Sequence, residues 1–594
     1  MPRAVKRNAR ATEPVWEVSP GGPLTDLHEA LEASRQEGRK PRRLVIRAGT
    51  YQLTRPLILG PQDSGLTLEA KPGEEAVLSG GVRLGRWQRE SGGLWSAEVP
   101  PEALGSEGFR LLVVNGQLRP RARFPEGGFL QHRSNFTVRW LGTTGGGWER
   151  KPTAKERASL RYDPADIPPE MDVSGAELTV FHSWDESLVS VARRDSHQAR
   201  LYFTGPTGHP PGAYNQHKYV IWNVREGLTH PGQWYLDRSL GRVFYWPQPG
   251  EAMRATEAWV PVLQTLIRLE GTEEHAVREI TLRGLKLTLT TTPLVPGGFG
   301  AYAFPGALAL SYARDCRLEN LEILHVGGQG IKADHAVGLT VSGCELHDLG
   351  ACGLRVQGER VRLLDNRLYR VGRVYPSGIA LSCSGQSCAI KGNYIHHTPY
   401  SGIAVNGDDH RLEGNHIHHV MRELCDGGAI YLGGSRRALL RGNYAHDIRD
   451  LRELEMYAHA ASYYLDEQCE DCLVERNLSV RVERAYQSHM ARRNTLRNNV
   501  FLSDTDLILR FLVSTEHRLE QSVLRAAGLV RIAEPQGLAA ASDNLFFSES
   551  GEIVNAPQGT VIAEPSFVDL ERGDYRFAPG SPARKLGIKP VMKA

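Results

Sequence analysis

Cysteine is scarce in this sequence, with 8 residues among 594. This number is too small for a disulfide scaffold in so long a chain. The last two form a lone C-x-x-C pair, Cys469 and Cys472, and no second pair follows at the spacing of a zinc site. Buried thiols act as small apolar fillers, so we interpret the cysteines as structural and expect no metal site. Four of them lie in or beside predicted strands: Cys316, Cys344, Cys383 and Cys425.

An excess of one charge, a long apolar run and a cofactor motif are also absent. The 71 basic residues nearly balance the 68 acidic ones, so neither nucleic acid nor an anionic membrane is indicated as a partner. No run of about 18 apolar residues predicts a membrane span. The basic start, Met1 to Arg10, has no apolar run after it, so we expect no secretory signal and a cytoplasmic protein, unless a signal for export has been removed. No P-loop occurs and no G-x-G-x-x-G opens a helix after a strand, so we predict no organic cofactor.

What the sequence does contain is a repeat. Between Leu321 and Asn499, each segment places a small or amide-bearing residue at the same point of a short apolar strand. The anchor positions 321, 344, 366, 393, 415, 443, 477 and 499 step by 23, 22, 27, 22, 28, 34 and 22 residues. A period in the low twenties, with one alternating strand per repeat and no helical pattern between, is typical of a β-solenoid. Strands lie about 4.8 Å apart, so amides in one column can bond along the axis. The column consists of Asn366, Asn393, Asn415, Asn443, Asn477 and Asn499.

A second ladder runs in phase with the first. A glycine before an apolar residue opens another strand in each turn, at a corner where a side chain would collide with the neighbouring coil. Two ladders of one period predict an all-β fold, a parallel β-helix. The glycines are Gly330, Gly353, Gly378, Gly402 and Gly428.

The same period predicts how the chain is divided. Residues 1–15 are expected to form a disordered lead, and residues 16–84 the N-terminal cap and the first coils. Across residues 85–257 the period vanishes while turn signals and tryptophans concentrate, which indicates an inserted, mainly antiparallel β domain. Coils resume in residues 258–594, which form the main β-helix and its Pro/Gly-rich closure.

A short helix is predicted near the N-terminus, from Leu24 to Ser34, because Leu24, Leu27, Ala30 and Leu31 share one face. Such a helix caps the open end of a solenoid, which otherwise exposes a pairing edge.

Extra residues in three neighbouring coil steps predict loops on one side of the solenoid, and such loops usually mark the working face. Asp426 precedes a Gly-Gly pair there, and Asp466 ends an aromatic strand. Two carboxylates flanking a groove are what glycoside hydrolysis requires, because one protonates the leaving oxygen and the other acts as nucleophile or activates water. The competing interpretation makes Asp426 a turn residue bonded to nearby amides and Asp466 a solvated strand end.

Strand register sets a condition on this pair. If Tyr463 stacks on Ile430, the two aspartates are about seven residues, on the order of 20 Å, apart along the strand direction. The pair then works only if the long loops bend Asp426 inward or the last coil is out of register. Three other acids are fallback partners: Glu423, Asp447 and Glu467.

Substrate contacts are expected around the same loops and in the inserted region. His397 lies outside the repeating histidine column, and Trp184 is a candidate platform for sugar stacking, although aromatic residues in that region are more often core. The candidate substrate-binding residues are His397, Tyr400, Tyr431, Tyr464, Glu467 and Trp184. The histidines that recur with the repeat are interpreted as structural: His347, His396, His418 and His446.

Several of these segments resemble glycoside hydrolase family 141. They are Asp426–Tyr431, Pro399–Ile403, Tyr464–Asp466, Asn115-Gly116 and the hairpin Gly232–Asp237. The resemblance covers roughly residues 40–590, and the Asp-Gly-Gly-Ala-Ile-Tyr element is its most specific part. It implies a right-handed parallel β-helix with an added β domain, an α-L-fucosidase or xylanase activity, and Asp426 and Asp466 as the catalytic aspartates.

Three functions are therefore considered. The first is a glycoside hydrolase acting on an oligosaccharide or polysaccharide of plant or pectic type. The second is a polysaccharide lyase on the same fold with Lys332 or Arg355 as base; such enzymes often need Ca²⁺, and no acidic cluster plainly supplies a site for it. The third is a non-catalytic, glycan-binding solenoid.

Overall fold

The computed structural model describes residues 14–36, 41–105, 107–449 and 460–591. Over these residues the chain winds into a parallel β-helix, which confirms the fold predicted from the two ladders. Three long parallel sheets run along the axis, and successive coils add a strand to each sheet in turn. We number them sheets 1, 2 and 3 in the order in which a coil visits them.

The strands of the three sheets have the following bounds. Sheet 1 consists of Val15–Val18, Arg42–Ile46, Leu66–Ala70, Thr281–Arg283, Arg317–Glu319, Thr340–Ser342, Arg362–Leu364, Ala389–Lys391, Arg411–Glu413, Leu439–Arg441, Leu473–Glu475, Thr495–Arg497, His517–Glu520 and Leu538–Ser542. Sheet 2 consists of Gly49–Gln52, Ala76–Ser79, Leu285–Thr290, Glu322–Val326, Glu345–Leu349, Arg367–Tyr369, Tyr394–His396, His416–His418, Tyr444–Ile448, Leu478–Val482, Val500–Ser503, Val523–Ala526, Leu545–Ser548 and Val561–Ile562. Sheet 3 consists of Leu57–Leu59, Ile267–Glu270, Val277–Arg278, Gly306–Ser311, Ala313–Arg314, Gln329–Val337, Leu354–Glu359, Leu381–Gln386, Ile403–Asp408, Gly427–Leu432, Ala460–Leu465, Arg484–His489, Leu507–Leu512, Val530–Ala533 and Ile553–Val554.

An antiparallel region interrupts the early coils. Ala76–Ser79 pairs directly with Leu285–Thr290, so the chain leaves the β-helix and returns to the next coil position. The first and last strands of the excursion, Gly81–Arg83 and Ala258–Pro261, pair with each other, and the boundaries predicted at 85 and 257 fall just inside them. The remaining strands of the region are Gln88–Arg89, Trp95–Glu98, Val113–Val114, Gln117–Leu118, Arg123–Phe124, Leu130–Gln131, Ser159–Arg161, Glu177–Phe181, Glu186–Asp195, Arg200–Phe203, Lys218–Trp222, Trp234–Asp237 and Arg242–Tyr245.

A buried asparagine column links successive coils, as predicted, but it lies at the turn between sheets 1 and 2 and not within a strand. Asn393 Nδ2 donates to Asn415 Oδ1 at 2.9 Å, and Asn415 Nδ2 donates to Asn443 Oδ1 at 2.9 Å. The main-chain N–H of Asn393 donates to the same Asn415 oxygen at 3.0 Å. These side chains are at most 1 % exposed. The column therefore satisfies main-chain groups of the turn that no sheet hydrogen bond reaches.

The second ladder marks close approach between coils. A Cβ at Gly353 would lie 2.5 Å from the carbonyl oxygen of Ala380, and one at Gly428 would lie 2.6 Å from that of Ala461. Glycine is required at both places because the next coil occupies the position of a side chain.

The N-terminal helix spans Leu27–Gln36 and packs its buried residues onto the end of the solenoid core. It begins at Leu27 rather than at Leu24 because Asp26 acts as its cap. The Asp26 carboxylate accepts the main-chain N–H groups of His28 at 2.7 Å and Glu29 at 3.0 Å. The other α-helices among the described residues are Pro101–Leu104 and Pro582–Lys585.

The two chain ends differ in their relation to the solenoid. Of the predicted lead, residues 1–13 lie outside the described residues, and Val15 already begins the first strand of sheet 1. At the other end, the antiparallel hairpin of Phe567–Asp569 and Asp574–Phe577 packs against the outer face of sheet 2. Within the described ranges, no helix has the length and apolarity needed to cross a bilayer.

Replacing one asparagine of the column should destabilise the whole solenoid. Asn415→Ala leaves the main-chain N–H of Asn393 and the carbonyl of Ile390 without their buried partner, and we expect a loss of about 3 kcal/mol in the free energy of unfolding. Asn406 is exposed and donates one bond, to the carbonyl of Gly433, so Asn406→Ala serves as the matched control. Urea unfolding followed by circular dichroism measures both, and equal midpoints for the two variants would contradict the role of the column.

Candidate active site

Three neighbouring strands of sheet 3 carry the candidate site: Gly427–Leu432, Ala460–Leu465 and Arg484–His489. Ile430 pairs with Tyr463, and Tyr431 pairs with Tyr464. Side chains alternate across a strand, so Ile430 and Tyr463 fill the core while Tyr431 and Tyr464 point outward. The chain is thus in the register that, for straight strands, places the two aspartates far apart.

A turn at Asp426 changes that expectation. Asp426 has a left-handed φ of 58°, and its main-chain carbonyl accepts a hydrogen bond from Tyr400 Oη at 2.8 Å. Its carboxylate Oδ1 accepts from Tyr464 Oη at 3.0 Å. A Cβ at Gly427 would lie 2.4 Å from Ser401 Oγ, so the glycine permits this tight path. The turn directs the Asp426 side chain toward the outward tyrosines.

Asp466 lies at the opposite end of the same tyrosine pair. Its Oδ2 accepts from Tyr431 Oη at 2.7 Å, and its Oδ1 lies 2.8 Å from Nδ1 of His489. The rings of Tyr431 and Tyr464 are perpendicular, with centroids 5.2 Å apart. Each tyrosine donates its hydrogen bond to the aspartate that flanks the other tyrosine's strand: Tyr431 to Asp466 and Tyr464 to Asp426. This crossed pair connects the two carboxylates over a single outward-facing patch.

The two carboxylates have different surroundings. Burial and the negative charge of Asp466 raise the pKa of Asp426 from its ordinary 3.8 to about 7. Burial by itself lowers the pKa of His489, but the hydrogen bond to Asp466 and its charge outweigh burial and raise that pKa. Burial, together with the neighbouring carboxylates, also raises the pKa values of Tyr431 and Tyr464 well above the usual range. Both phenols therefore remain hydrogen-bond donors at neutral pH.

The inserted region contacts the β-helix at both ends of this patch. Next to Asp426, the carbonyl of Ser183 accepts the main-chain N–H of Cys425 at 3.3 Å. Next to Asp466, the Glu467 carboxylate accepts the main-chain N–H groups of Thr143 at 2.9 Å and Thr144 at 2.7 Å. Glu467, predicted to bind substrate, thus holds a loop of the inserted region over the site.

Aromatic side chains of the inserted region cluster beside Asp426. Trp184 lies 4.5 Å from Tyr214 and 5.6 Å from Trp140 between ring centroids. Burial and the charges of Asp185 and Asp426 raise the pKa of Tyr214, which places its hydroxyl within electrostatic reach of both acids. Asp185 is itself buried. The cluster consists of Trp140, Trp148, Trp184, His209 and Tyr214.

Two other residues predicted to contact substrate, Tyr400 and His397, are engaged within the protein. Tyr400 is fully buried in the core, and its hydroxyl is engaged by the main chain of Asp426, so it acts as a support of the turn. His397 is exposed at the end of sheet 2, where its ring stacks on His419 at 4.9 Å. Its hydrogen-bond contact is with His396, at 2.9 Å between the Nδ1 atoms.

Of the three fallback acids, Glu467 lies next to Asp466 and binds the loop at Thr143, whereas Asp447 lies on another sheet. Asp447 forms an ion pair with Arg481 on sheet 2, with Nε and Oδ1 2.6 Å apart. At Glu423 the main-chain carbonyl accepts a hydrogen bond from Nζ of Lys218 at 2.5 Å, a contact that does not involve the carboxylate.

The bases considered for a lyase belong to the same outward column of sheet 3, several coils before Asp426. Lys332 Nζ donates to the carbonyls of Tyr302 and Phe304, each at 3.2 Å. Arg355 forms an ion pair with Asp334. Burial lowers the pKa of Lys332, yet both cations already have partners within the protein.

Several site residues were not predicted from sequence: His489, Tyr214, Trp140 and Phe299. His489 has a usable signal, because Tyr464 pairs with Gln487 in the next coil, which sets His489 opposite Asp466. The other three come from distant segments with no repeat to place them. Phe299, 36 % exposed, lies 6.0 Å from Tyr431 between ring centroids.

Comparison with known proteins supports the fold. A family model described as right handed beta helix region matches residues 376–509. A solved structure named "Glycoside hydrolase" is similar over 82 % of this chain and 96 % of its own, with a TM-score of 0.69 and 20 % identity. A complex of XylC with xylose covers 94 % of this chain and 88 % of its own at a TM-score of 0.48 and 11 % identity. The match to the adhesin PfbA of Streptococcus pneumoniae covers 91 % of this chain and 97 % of its own, with a TM-score of 0.34 and 10 % identity. No curated protein matches in sequence. The chain is thus a right-handed parallel β-helix, and at these identities the likeness shows the fold alone.

The raised pKa of Asp426 predicts a stability effect with a definite sign. Between its unfolded pKa, near 3.8, and its folded pKa, about 7, the unfolded chain loses this proton while the folded chain retains it. The carboxyl group therefore destabilises the fold progressively as pH rises through that window. Asp426→Asn should be more stable than the wild type at pH 8, on the order of 2–4 kcal/mol, and the difference should vanish near pH 4.

Thermal unfolding at both pH values measures the effect. Asp504→Asn is the control, because Asp504 is half exposed at the surface and its removal should give the same small change at both pH values. A variant at Asp426 that is less stable than the wild type at pH 8 would contradict the assignment.

Proposed function

We propose that this protein is a glycoside hydrolase in which Asp426 is the general acid and Asp466 is the nucleophile or general base. The observation that supports the assignment is the crossed tyrosine pair with an aspartate at each end, in unequal surroundings. A carboxylic acid whose surroundings raise its pKa, close to a second carboxylate, is typical of acid–base catalysis. With a pKa of about 7, Asp426 still carries, near neutral pH, a proton that it can donate.

The reaction follows from these positions. Asp426 transfers its proton to the glycosidic oxygen as the bond from that oxygen to the anomeric carbon breaks. Asp466, or a water molecule that it deprotonates, adds to the anomeric carbon. Tyr431 donates to one Asp466 oxygen and His489 faces the other, so the carboxylate is fixed in orientation. Fixing a reacting group in this way lowers the entropic part of the barrier.

The substrate is proposed to be a plant-type or pectic glycan. Rings of the inserted region and Phe299 provide apolar faces beside the carboxylates, and sugar rings bury their C–H faces against aromatic rings. The resemblance to glycoside hydrolase family 141 favours an α-L-fucosidic or xylosidic bond. The lyase alternative is less favoured, because Lys332 and Arg355 are already bonded within the protein.

The first test is a substrate screen. Nitrophenyl glycosides, including the α-L-fucoside and the β-xyloside, are incubated with the protein alongside xylan and pectic oligosaccharides, and products are separated by chromatography. Hydrolysis supports the proposal. A product with an unsaturated, ultraviolet-absorbing ring would indicate a lyase instead, and retention of glycan without any product would indicate a binding solenoid.

Substitution of either aspartate should then remove turnover. Asp426→Asn and Asp466→Asn are each expected to lower kcat about 10²–10⁴-fold, the usual contribution of a positioned acid or base, with unchanged circular dichroism. Asp334→Asn is the matched control, because Asp334 lies on the same sheet but pairs with Arg355, and it should retain near-wild-type activity. Near-normal turnover by Asp426→Asn would exclude Asp426 from the mechanism.

The pH profile tests the division of roles. Because Asp426 must be protonated to act as the acid, kcat/KM should fall as pH rises through about 7. A profile that is flat from pH 6 to pH 9 would show that the group giving the proton is not Asp426.

A further inference from the structure

The outer face of sheet 2 carries a column of stacked rings on successive coils. Tyr369 lies 4.8 Å from His396, His396 lies 5.2 Å from His418, and His418 lies 4.7 Å from His446 between ring centroids. These spacings follow from the distance between strands, so stacking alone explains most of the column. At one position, ring stacking does not account for all the contacts between the histidines.

That position is where a third histidine joins the column from the side. His416 and His418 are two residues apart on one strand and therefore point to the same face. His418 pairs with His446 on the next strand. His416 Nε2 lies 2.8 Å from His446 Nε2. One ring nitrogen from each of the three histidines lies within 4.8 Å of the other two.

The opposite sides of two of these rings are held by neighbouring groups. His446 Nδ1 lies 2.5 Å from Asp447 Oδ2, and Asp447 is bound in turn by Arg481 through two contacts of 2.6 Å. His418 Nδ1 lies 2.7 Å from Nδ1 of His419. A carboxylate on the far nitrogen fixes an imidazole's tautomer and orientation, as it does for metal-bound histidines. The lone pair of His446 Nε2 is thereby directed at His416.

We propose that His416, His418 and His446 form a binding site for a divalent transition metal ion of the zinc type. Three imidazoles are a donor set that suits zinc and its neighbours. Bonds of about 2.0–2.1 Å to the metal place ligand nitrogens roughly 3.4 Å apart in a tetrahedron. Here the Nε2 atoms of His416 and His446 are 2.8 Å apart, and the three nitrogens lie within 4.8 Å of one another, so small ring rotations suffice to reach that geometry. The fourth position is taken by water or by the hydroxyl of Tyr394, which lies 2.9 Å from His418 Nε2.

The site is independent of the proposed hydrolase chemistry. It lies on sheet 2, whereas Asp426 and Asp466 border sheet 3. The metal joins His416–His418 to Tyr444–Ile448, two adjacent coils, and so its binding should stabilise the fold. The proposal adds metal binding to the structural role that the sequence indicates for His418 and His446.

Binding is tested on full-length protein freed of metal by dialysis against a chelator. Titration with Co²⁺ should give a saturable visible d–d absorption band at one ion per chain, and Zn²⁺ should displace it and raise the unfolding temperature. His416→Ala and His446→Ala should each weaken Co²⁺ binding by more than about tenfold. Circular dichroism checks the metal-free fold, and if His446→Ala unfolds, His416→Ala decides.

His347→Ala is the matched control. His347 belongs to the same column, with Asp348 at 2.8 Å from its Nδ1 and Arg370 on that carboxylate, but its ring stacks on Tyr369 and not on a histidine. It should bind Co²⁺ as the wild type does. Wild-type protein without the band, or His416→Ala and His446→Ala with unchanged binding, would overturn the proposal.

Discussion

Hydrogen bonding from one coil to the next, between parallel strands, is the constraint on which the rest of this structure depends. Main-chain bonds supply it along the sheets, and at the turn between sheets 1 and 2 the buried asparagine column supplies it where main-chain partners are lacking. An amide such as Asn415, with its donors and its acceptor all used, leaves no unsatisfied group in the core. Where successive strands pair in continuous register, as at Tyr431 with Tyr464 and His418 with His446, the outward side chains form ordered columns. Both the tyrosine pair and the histidine column are consequences of that order.

Much of this architecture could be predicted from the sequence because it is periodic. The column from Asn366 to Asn499 and the glycine ladder are local patterns repeated at one spacing. The structure of one coil can therefore be inferred from that of its neighbours. Irregularities in the same repeat indicate Asp426 and Asp466, because the longer coil steps place loops on one side of the solenoid. What a straight-strand register could not give is the left-handed turn at Asp426, which depends on the fully buried Tyr400 below it.

The remainder of the candidate site depends on contacts between distant parts of the chain. Glu467 holds Thr143 and Thr144, and Cys425 bonds to Ser183, yet no sequence period relates these segments. Tyr214 and Trp140 could not be predicted for the same reason, because they lie in the inserted region, where no repeat occurs. The histidine trio differs in kind. The column of histidines repeats in the sequence, but His416 lies beside that column, and its approach to His446 depends on ring orientations that Asp447 fixes.

The inserted region changes the surroundings of Asp426. An outward sheet face alone would leave the Asp426 carboxyl group solvated, and a solvated carboxyl group has a pKa near its ordinary value. Contacts at Ser183 and the ring cluster around Trp184 cover the Asp426 end, and burial is the main cause of its raised pKa. At the other end, Tyr431 and His489 meet the Asp466 carboxylate directly. We infer that the β-helix sets the spacing of the pair, whereas the overhanging segment converts a turn aspartate into a proton donor.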